Sequence, residues 1–292
     1  MALSDNARGM ILMCVAMAAF VFGDTAVKAA TGTVPLFEVI ALRGSLSVVA
    51  LVVIGWRTRL LTKSMPRSDA WLVALRMVAE VAASLLFLIA LVNMPLANLS
   101  AIMQFLPLAV TMTAAVIFGK HIGWRRMTAI LIGLAGVILI IRPGPDGFDV
   151  WSLMGLASVG FVVVRDFASS RISPAVSSVT VSVWSALAVT VVGAIGATHD
   201  GWEAVAPREL GLITFAAVFL VIGYITAVAS MRVGDIVVLA PFRYTALLWA
   251  IVLGWALFGT LPDALTLFGA ALVVATGIFT FWREARLRAR AV

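Results

Sequence analysis

Long apolar blocks fill the chain, separated by short polar connections, and none shows the alternating ten-residue strokes of an outer-membrane barrel. A helix needs about 20 apolar residues to cross a bilayer. On that measure the pattern predicts ten spans: 9 to 30, 35 to 56, 70 to 92, 96 to 118, 125 to 141, 150 to 170, 174 to 197, 208 to 230, 236 to 258 and 264 to 282. Helix-opening chemistry supports this segmentation independently of hydropathy. Pro35, Pro95, Pro174 and Pro207 sit where a missing N–H costs nothing, and Ser68, Ser173, Asp235 and Asp263 are placed to cap free amides.

Composition narrows the class. With 292 residues, 63% of them hydrophobic and only 12% charged, the chain falls far from a soluble domain, which averages about 25% charged residues. Ten spans leave connections too short to hold a further domain. Cys14, the single cysteine, permits no disulfide or cysteine metal site, and His121 and His199 fall in different connections. No H-E-x-x-H, G-x-x-x-x-G-K-[ST] or D-D-x-x-D stretch occurs, so the sequence supplies no enzyme signature, no nucleotide loop and no need for a cofactor or metal.

The formal net charge of +7 is distributed unevenly. Arg57, Arg59, Lys63 and Arg67, then Lys120, Arg125 and Arg126, then Arg283, Arg286, Arg288 and Arg290 share one side, against only Arg142 and Arg208 on the other. Basic residues resist translocation, so both termini are expected in the cytoplasm of a cell inner membrane. The basic tail reads as a positive-inside stop beside anionic lipid, with no nucleic-acid partner implied. The first span reads as an uncleaved anchor, because its apolar run continues past Asp24 without a cleavage site.

Ten spans divide into five and five, and an odd number per half sets the halves in opposite orientation. Shifting by 140 residues lays Leu99 to Gly119 over Leu239 to Gly259 without a gap, placing Tyr244 opposite Gln104. The stretch FLPLAVTMTAAVIFGKHIGWRRMTAILIGLAGVILIIRPG, Phe105 to Gly144, resembles the end of an EamA-type repeat of the drug/metabolite transporter superfamily. APFRYTALLWAIVLGWALFGTLPDALTLFGAALVVATGIF, Ala240 to Phe279, resembles the end of a second copy. The resemblance spans nearly the whole chain, including Ala41 to Ser45 and Ala90 to Ala101. It implies an all-α integral membrane protein of ten transmembrane helices built as two inverted five-helix repeats, 1 to 145 and 146 to 292, with a short basic tail. It also implies alternating access and transport of small metabolites. In length and layout the chain is most similar to YddG-type amino-acid exporters. Family members often carry a glutamate after the exit glycine; Lys120 and Thr260 stand there instead, so no connection-loop function carries over.

Ionisable side chains at bilayer depth cost about 2.5 to 3.5 kcal/mol on insertion scales and point to internal pairs or a hydrated path. Asp24, Lys28, Arg43, Arg76, Glu80, Arg165 and Arg243 qualify, with Asp166 nearer the cytoplasmic end. Asp24 and Lys28, four apart on one helix face, fit an ion pair, an outer gate contact or substrate binding. Arg76 and Glu80 are likewise four apart. Arg43 and Glu80 lie at comparable depth, so the sequence predicts a bridge between neighbouring helices, or else a Glu80 that binds an ammonium group or a coupling proton. Asn98 and Gln104 offer uncharged amides that suit either a zwitterion or an interhelical bond. Pro241, Arg243 and Tyr244 cluster in the ninth span, where Arg243 fits a substrate carboxylate, an acidic side chain or the cytoplasmic surface. Trp249 and Phe161 are candidates for an apolar cavity wall; most such aromatics are packing.

These residues together suggest a secondary transporter exporting amino acids or related small metabolites, with Gln104, Glu80, Arg243, Tyr244, Trp249, Phe161 and Asn98 at the substrate and Asp24, Lys28, Arg43 and Arg76 at gates or ion pairs. An importer of a nucleotide-like metabolite such as S-adenosylmethionine is the alternative, followed by a channel or a structural membrane subunit. The expected partners are a small amino-acid-like substrate and membrane lipid; a homo-oligomer is compatible with the sequence.

Overall fold

The computed structural model describes residues 5–61, 66–118, 124–142, 149–173, 175–233 and 239–289. All regular structure among them is helical: α1 (Asp5–Ala30), α2 (Leu36–Arg57), α3 (Arg67–Asn93), α4 (Leu96–Met103), α5 (Leu106–Phe118), α6 (Trp124–Ile141), α7 (Val150–Arg171), α8 (Ser178–Asp200), α9 (Pro207–Val233), a 3-10 turn (Ala240–Tyr244), α10 (Thr245–Phe258) and α11 (Ala264–Ala289). Among the described residues, nine segments are long and apolar enough to cross a membrane, and Met127–Ile141 is a shorter apolar helix. The ten expected spans are thus accounted for, the fourth by α4 with α5 and the ninth by the 3-10 turn with α10.

Local chemistry explains most boundaries. Pro35 and Pro95 precede α2 and α4, and Pro207 opens α9. Asp149 and Ser177 cap α7 and α8, accepting from the Ser152 and Thr180 amides. Asp263 accepts from Thr266 N at 2.9 Å and caps α11 as expected. Ser68 does not cap α3, because that helix already begins at Arg67 behind Pro66, and Ser177 takes the role expected of Ser173. The start signals at Pro174 and Asp235, and the exit residues Gly119, Lys120 and His121, lie outside the described residues.

The fourth span departs from a single helix over 96 to 118. Pro107 has no N–H to give, so the chain tightens there: Gln104 N donates to Ser100 O and Ala101 O, both at 3.2 Å, and Phe105 N to Ile102 O at 3.0 Å. The ninth span tightens at the corresponding place, where Pro241 sits in the 3-10 turn ending at Tyr244. Both breaks fall at the positions the 140-residue shift aligns.

The main packing contacts join helices far apart in sequence. The closest helix pairs are α1 with α9, α2 with α8, α3 with α7 and α6 with α11. Exchanging spans one to five for six to ten turns α1–α9 into α7–α3 and leaves the other two pairs unchanged, so these four pairings are the same after the exchange. Glycines permit the tightest approaches: a Cβ on Gly136 would lie 2.7 Å from Gly269 O, and one on Gly193 would lie 2.9 Å from Ala41 N. The main core is aliphatic, with Val27, Ile40, Leu88, Leu91, Ile102 and Ile213 almost fully buried.

Candidate functional site

A cavity of about 460 Å³ lies between α1, α2, α3, α4, α7, α8, α9 and the ninth span. Its level is set by the helices. Glu80 stands 13 residues from each end of α3, about 20 Å in at 1.5 Å per residue. Six ionisable groups of the wall are Asp24, Arg43, Arg76, Glu80, Arg165 and Arg243, with Gln104 and Tyr224 beside them. Met13, Met17, Phe20, Phe87 and Met103 supply apolar wall, and Tyr224 meets Phe20 edge-on at 5.5 Å. A mainly apolar chamber with a few convergent polar groups is the usual form of a small-molecule site.

One network joins α3 to α7 and α8. Arg165 Nη1 donates to Glu80 Oε1 at 3.3 Å, and its Nε and Nη2 reach Asp166 Oδ1 at 3.0 and 2.9 Å. Arg76 approaches Glu80 Oε2 at 3.6 Å and donates to Ser169 Oγ at 2.8 Å and to Ser185 Oγ. Glu80 is therefore held by two guanidiniums. Across the chamber, Arg43 lies in the electrostatic range of Asp24 and Tyr224.

This arrangement corrects the expected Arg43–Glu80 bridge. Spans consecutive in sequence are not the most extensively packed pairs: α3 packs mainly on α7 and α8, α2 on α8 and α9, so Glu80 pairs with Arg165 while Arg43 has Asp24 in electrostatic range. The Asp24–Lys28 pairing is corrected as well. Lys28 turns from the cavity and donates to Leu91 O at 2.5 Å and Met94 O at 2.9 Å at the C-terminal end of α3, where a cation suits the helix dipole. Its ammonium also sits 5.8 Å from the Phe258 ring centre.

Gln104 lies in the wall at the helix break, 7% exposed. Arg243 also lines the chamber, with Asp166 and Arg165 in electrostatic range and no ion pair within 4 Å among the described residues. Tyr244, Trp249, Phe161 and Asn98 do not line it. Tyr244 is buried against α11, where a Cβ on Gly277 would fall 1.6 Å from its hydroxyl oxygen. Trp249 packs on Phe22 at 5.7 Å, and Phe161 is 39% exposed on the outer surface. The Asn98 Oδ1 is buried with no hydrogen-bond partner among the described residues. The helix turns through about 100° per residue, so neighbours of a cavity residue face elsewhere.

Sequence reading undervalued Arg165, Tyr224 and Pro107. Arg165 beside Asp166 carried a signal, since two opposite charges at depth mark a network. Pro107, three residues after Gln104, signalled the helix break.

Residues 7–142 match the EamA-like transporter family. That match covers 136 of the 292 residues. Over 272 residues, covering 92% of this chain and 94% of the other, the sequence is 23% identical to the pseudopaline exporter CntI of Pseudomonas aeruginosa. It is 22% identical over 199 residues to the S-adenosylmethionine uptake transporter of Rickettsia bellii, 68% of each chain. It is 26% identical over 195 residues to the riboflavin transporter of Vibrio cholerae, 64% of this chain and 63% of that one. A crystal structure at 19% identity superposes with a TM-score of 0.66, covering 94% of this chain and 98% of the other, which concerns the fold alone. The matched family and these relatives are named as transporters, and the apolar helices make this chain a multi-span membrane protein.

Proposed function

We propose that the protein is an inner-membrane secondary transporter of the EamA type, exporting small amino-acid-like metabolites by alternating access. The observation that carries this reading is the charged mid-membrane cavity. Its wall places four guanidiniums, Arg43, Arg76, Arg165 and Arg243, around two carboxylates, Asp24 and Glu80. Counting Asp166, which holds Arg165, one guanidinium remains in excess, and that favours a solute carrying a carboxylate. Arg243 is the residue with that charge to offer. Gln104, which both donates and accepts, serves the polar remainder of the solute, while the methionine and aromatic wall takes apolar side chains with little discrimination.

Alternating access supplies the motion: residues 1 to 145 and 146 to 292 act as the two inverted units that rock about the chamber, with both termini in the cytoplasm. The breaks at Gln104 and at Pro241 to Tyr244 mark spans able to bend beside the cavity. The export direction draws on the pseudopaline exporter, whose match covers nearly the whole of both chains. Uptake of a nucleotide-like metabolite is the second reading, supported by the matches to S-adenosylmethionine uptake and riboflavin transporters.

Counterflow in proteoliposomes tests the proposal. Preloaded unlabelled amino acids, singly and in pools, are expected to drive saturable accumulation of the labelled solute. Linear, non-saturable flux would indicate a channel, and accumulation with S-adenosylmethionine or riboflavin alone would favour the second reading.

A further inference from the structure

We propose that a groove between α6 and α11, at the end of the bundle where the chain begins and ends, is a binding site for an anionic phospholipid. The groove encloses about 710 Å³ and is separate from the transport cavity. Three guanidiniums line its mouth, from Arg125 on α6 and from Arg283 and Arg286 on α11, and no carboxylate lines it among the described residues. Two are held by flat aromatic neighbours: Arg286 stacks 3.7 Å from the Trp282 ring centre and Arg125 lies 5.2 Å from that of Trp124. Both tryptophans are half exposed or more, as rings at a headgroup boundary are.

Behind the guanidiniums the groove turns apolar. Its walls continue to Ile132, seven residues past Arg125, and to Phe279, seven before Arg286, which is about 10 Å of helix on each side. Ala275 and Ala129 keep the floor narrow-sided and free of bulk. A free phosphate would use the mouth and leave the apolar length unused. A phospholipid uses both, its phosphate at the arginines and an acyl chain along the wall, the pattern of basic pockets between transmembrane helices that hold acidic headgroups. Because α6 and α11 are the fifth spans of the two repeats and pack on one another, a lipid seated there braces the pair away from the moving chamber.

Native mass spectrometry of the detergent-purified full chain tests this, titrating phosphatidylglycerol, phosphatidylcholine or inorganic phosphate. Phosphatidylglycerol should be retained over phosphatidylcholine, and Arg125→Gln and Arg286→Gln should each lower its occupancy about fivefold. Ala275→Trp, which fills the apolar wall and keeps every charge, should lower it as well. Arg57→Gln with Arg59→Gln removes two basic charges from another connection on the same face and should leave it unchanged. The proposal is overturned if the two lipids bind equally, if inorganic phosphate displaces the lipid at equal concentration, if Ala275→Trp has no effect, if the Arg57 and Arg59 pair matches the loss, or if the face instead mediates a lipid-free dimer.

Discussion

Arg243→Gln separates recognition from architecture. Arg243 lies in the 3-10 turn that opens the ninth span and faces the chamber with no ion pair within 4 Å among the described residues. Its nearest electrostatic partners oppose each other, Asp166 attracting and Arg165 repelling. Asp166 already accepts two bonds from Arg165. Removing the Arg243 charge therefore strands no carboxylate and relieves a like-charge contact. A hydrogen bond to a charged group is worth about 1.5 to 3 kcal/mol, and each 1.4 kcal/mol is tenfold, so apparent affinity for a carboxylate-bearing solute should weaken by about 10- to 150-fold. Unfolding midpoint in detergent should not fall. Arg165→Gln is the contrasting variant: it leaves Glu80 with Arg76 alone at 3.6 Å and loosens α3 from α7, so the midpoint should drop markedly. The assays are proteoliposome uptake with the solute that gives counterflow, and thermal unfolding by intrinsic tryptophan fluorescence. Unchanged affinity in Arg243→Gln, or a stability loss equal to that of Arg165→Gln, would refute the assignment.

Three further outcomes follow from the same geometry. Tyr244→Phe removes a buried hydroxyl that has no partner among the described residues, so it should leave transport intact and stability equal or higher by up to about 1 kcal/mol, whereas Gly277→Val should destabilise by about 1 to 3 kcal/mol through collision with the Tyr244 ring; thermal unfolding reads both. Glu80→Gln should lower stability by about 1 to 3 kcal/mol because two guanidiniums lose their shared partner, an effect that Arg165→Gln in the same chain should partly offset in a double-mutant cycle; strictly additive losses would contradict the bridge. In the connection before α11, the hydrogen bond from Arg142 and the Thr266 amide hold the Asp263 carboxyl down at about 2 against an ordinary value of 3.8. A depressed carboxylate contributes above its ordinary value and loses that contribution as pH falls toward about 2, so wild type and Asp263→Asn should differ in unfolding midpoint at neutral pH and converge only as pH approaches about 2.

The spans were legible because a bilayer demands apolar length, and that demand is written directly into the sequence. The equivalence of Gln104 and Tyr244 under the 140-residue shift was legible in the sequence, and both positions fall at helix breaks. The pairing of charges was not. Hydropathy gives the depth of Arg43 and Glu80 but not their bearing, and bearing depends on α3 lying beside α7 and α2 beside α8, contacts between residues about a hundred positions apart. Lys28 shows the same limit: its partners are carbonyls at the end of α3, which no side-chain pattern announces. Tyr244 was misplaced because repeat equivalence fixes a level in the membrane, while the direction of the ring is set by the space that Gly277 leaves open.

The central claim is a hydrated chamber reached in turn from the two faces, and thiol accessibility measures it most directly. In a Cys14→Ser background, Ser100→Cys puts a small thiol on the cavity wall, and Phe161→Cys puts one on the outer surface. A membrane-impermeant maleimide should label the Ser100 site from either face of oriented vesicles, with transported solute slowing the reaction, and should leave the Phe161 site unlabelled. Equal labelling of both sites, or a Ser100 site that neither face can reach, would contradict the account.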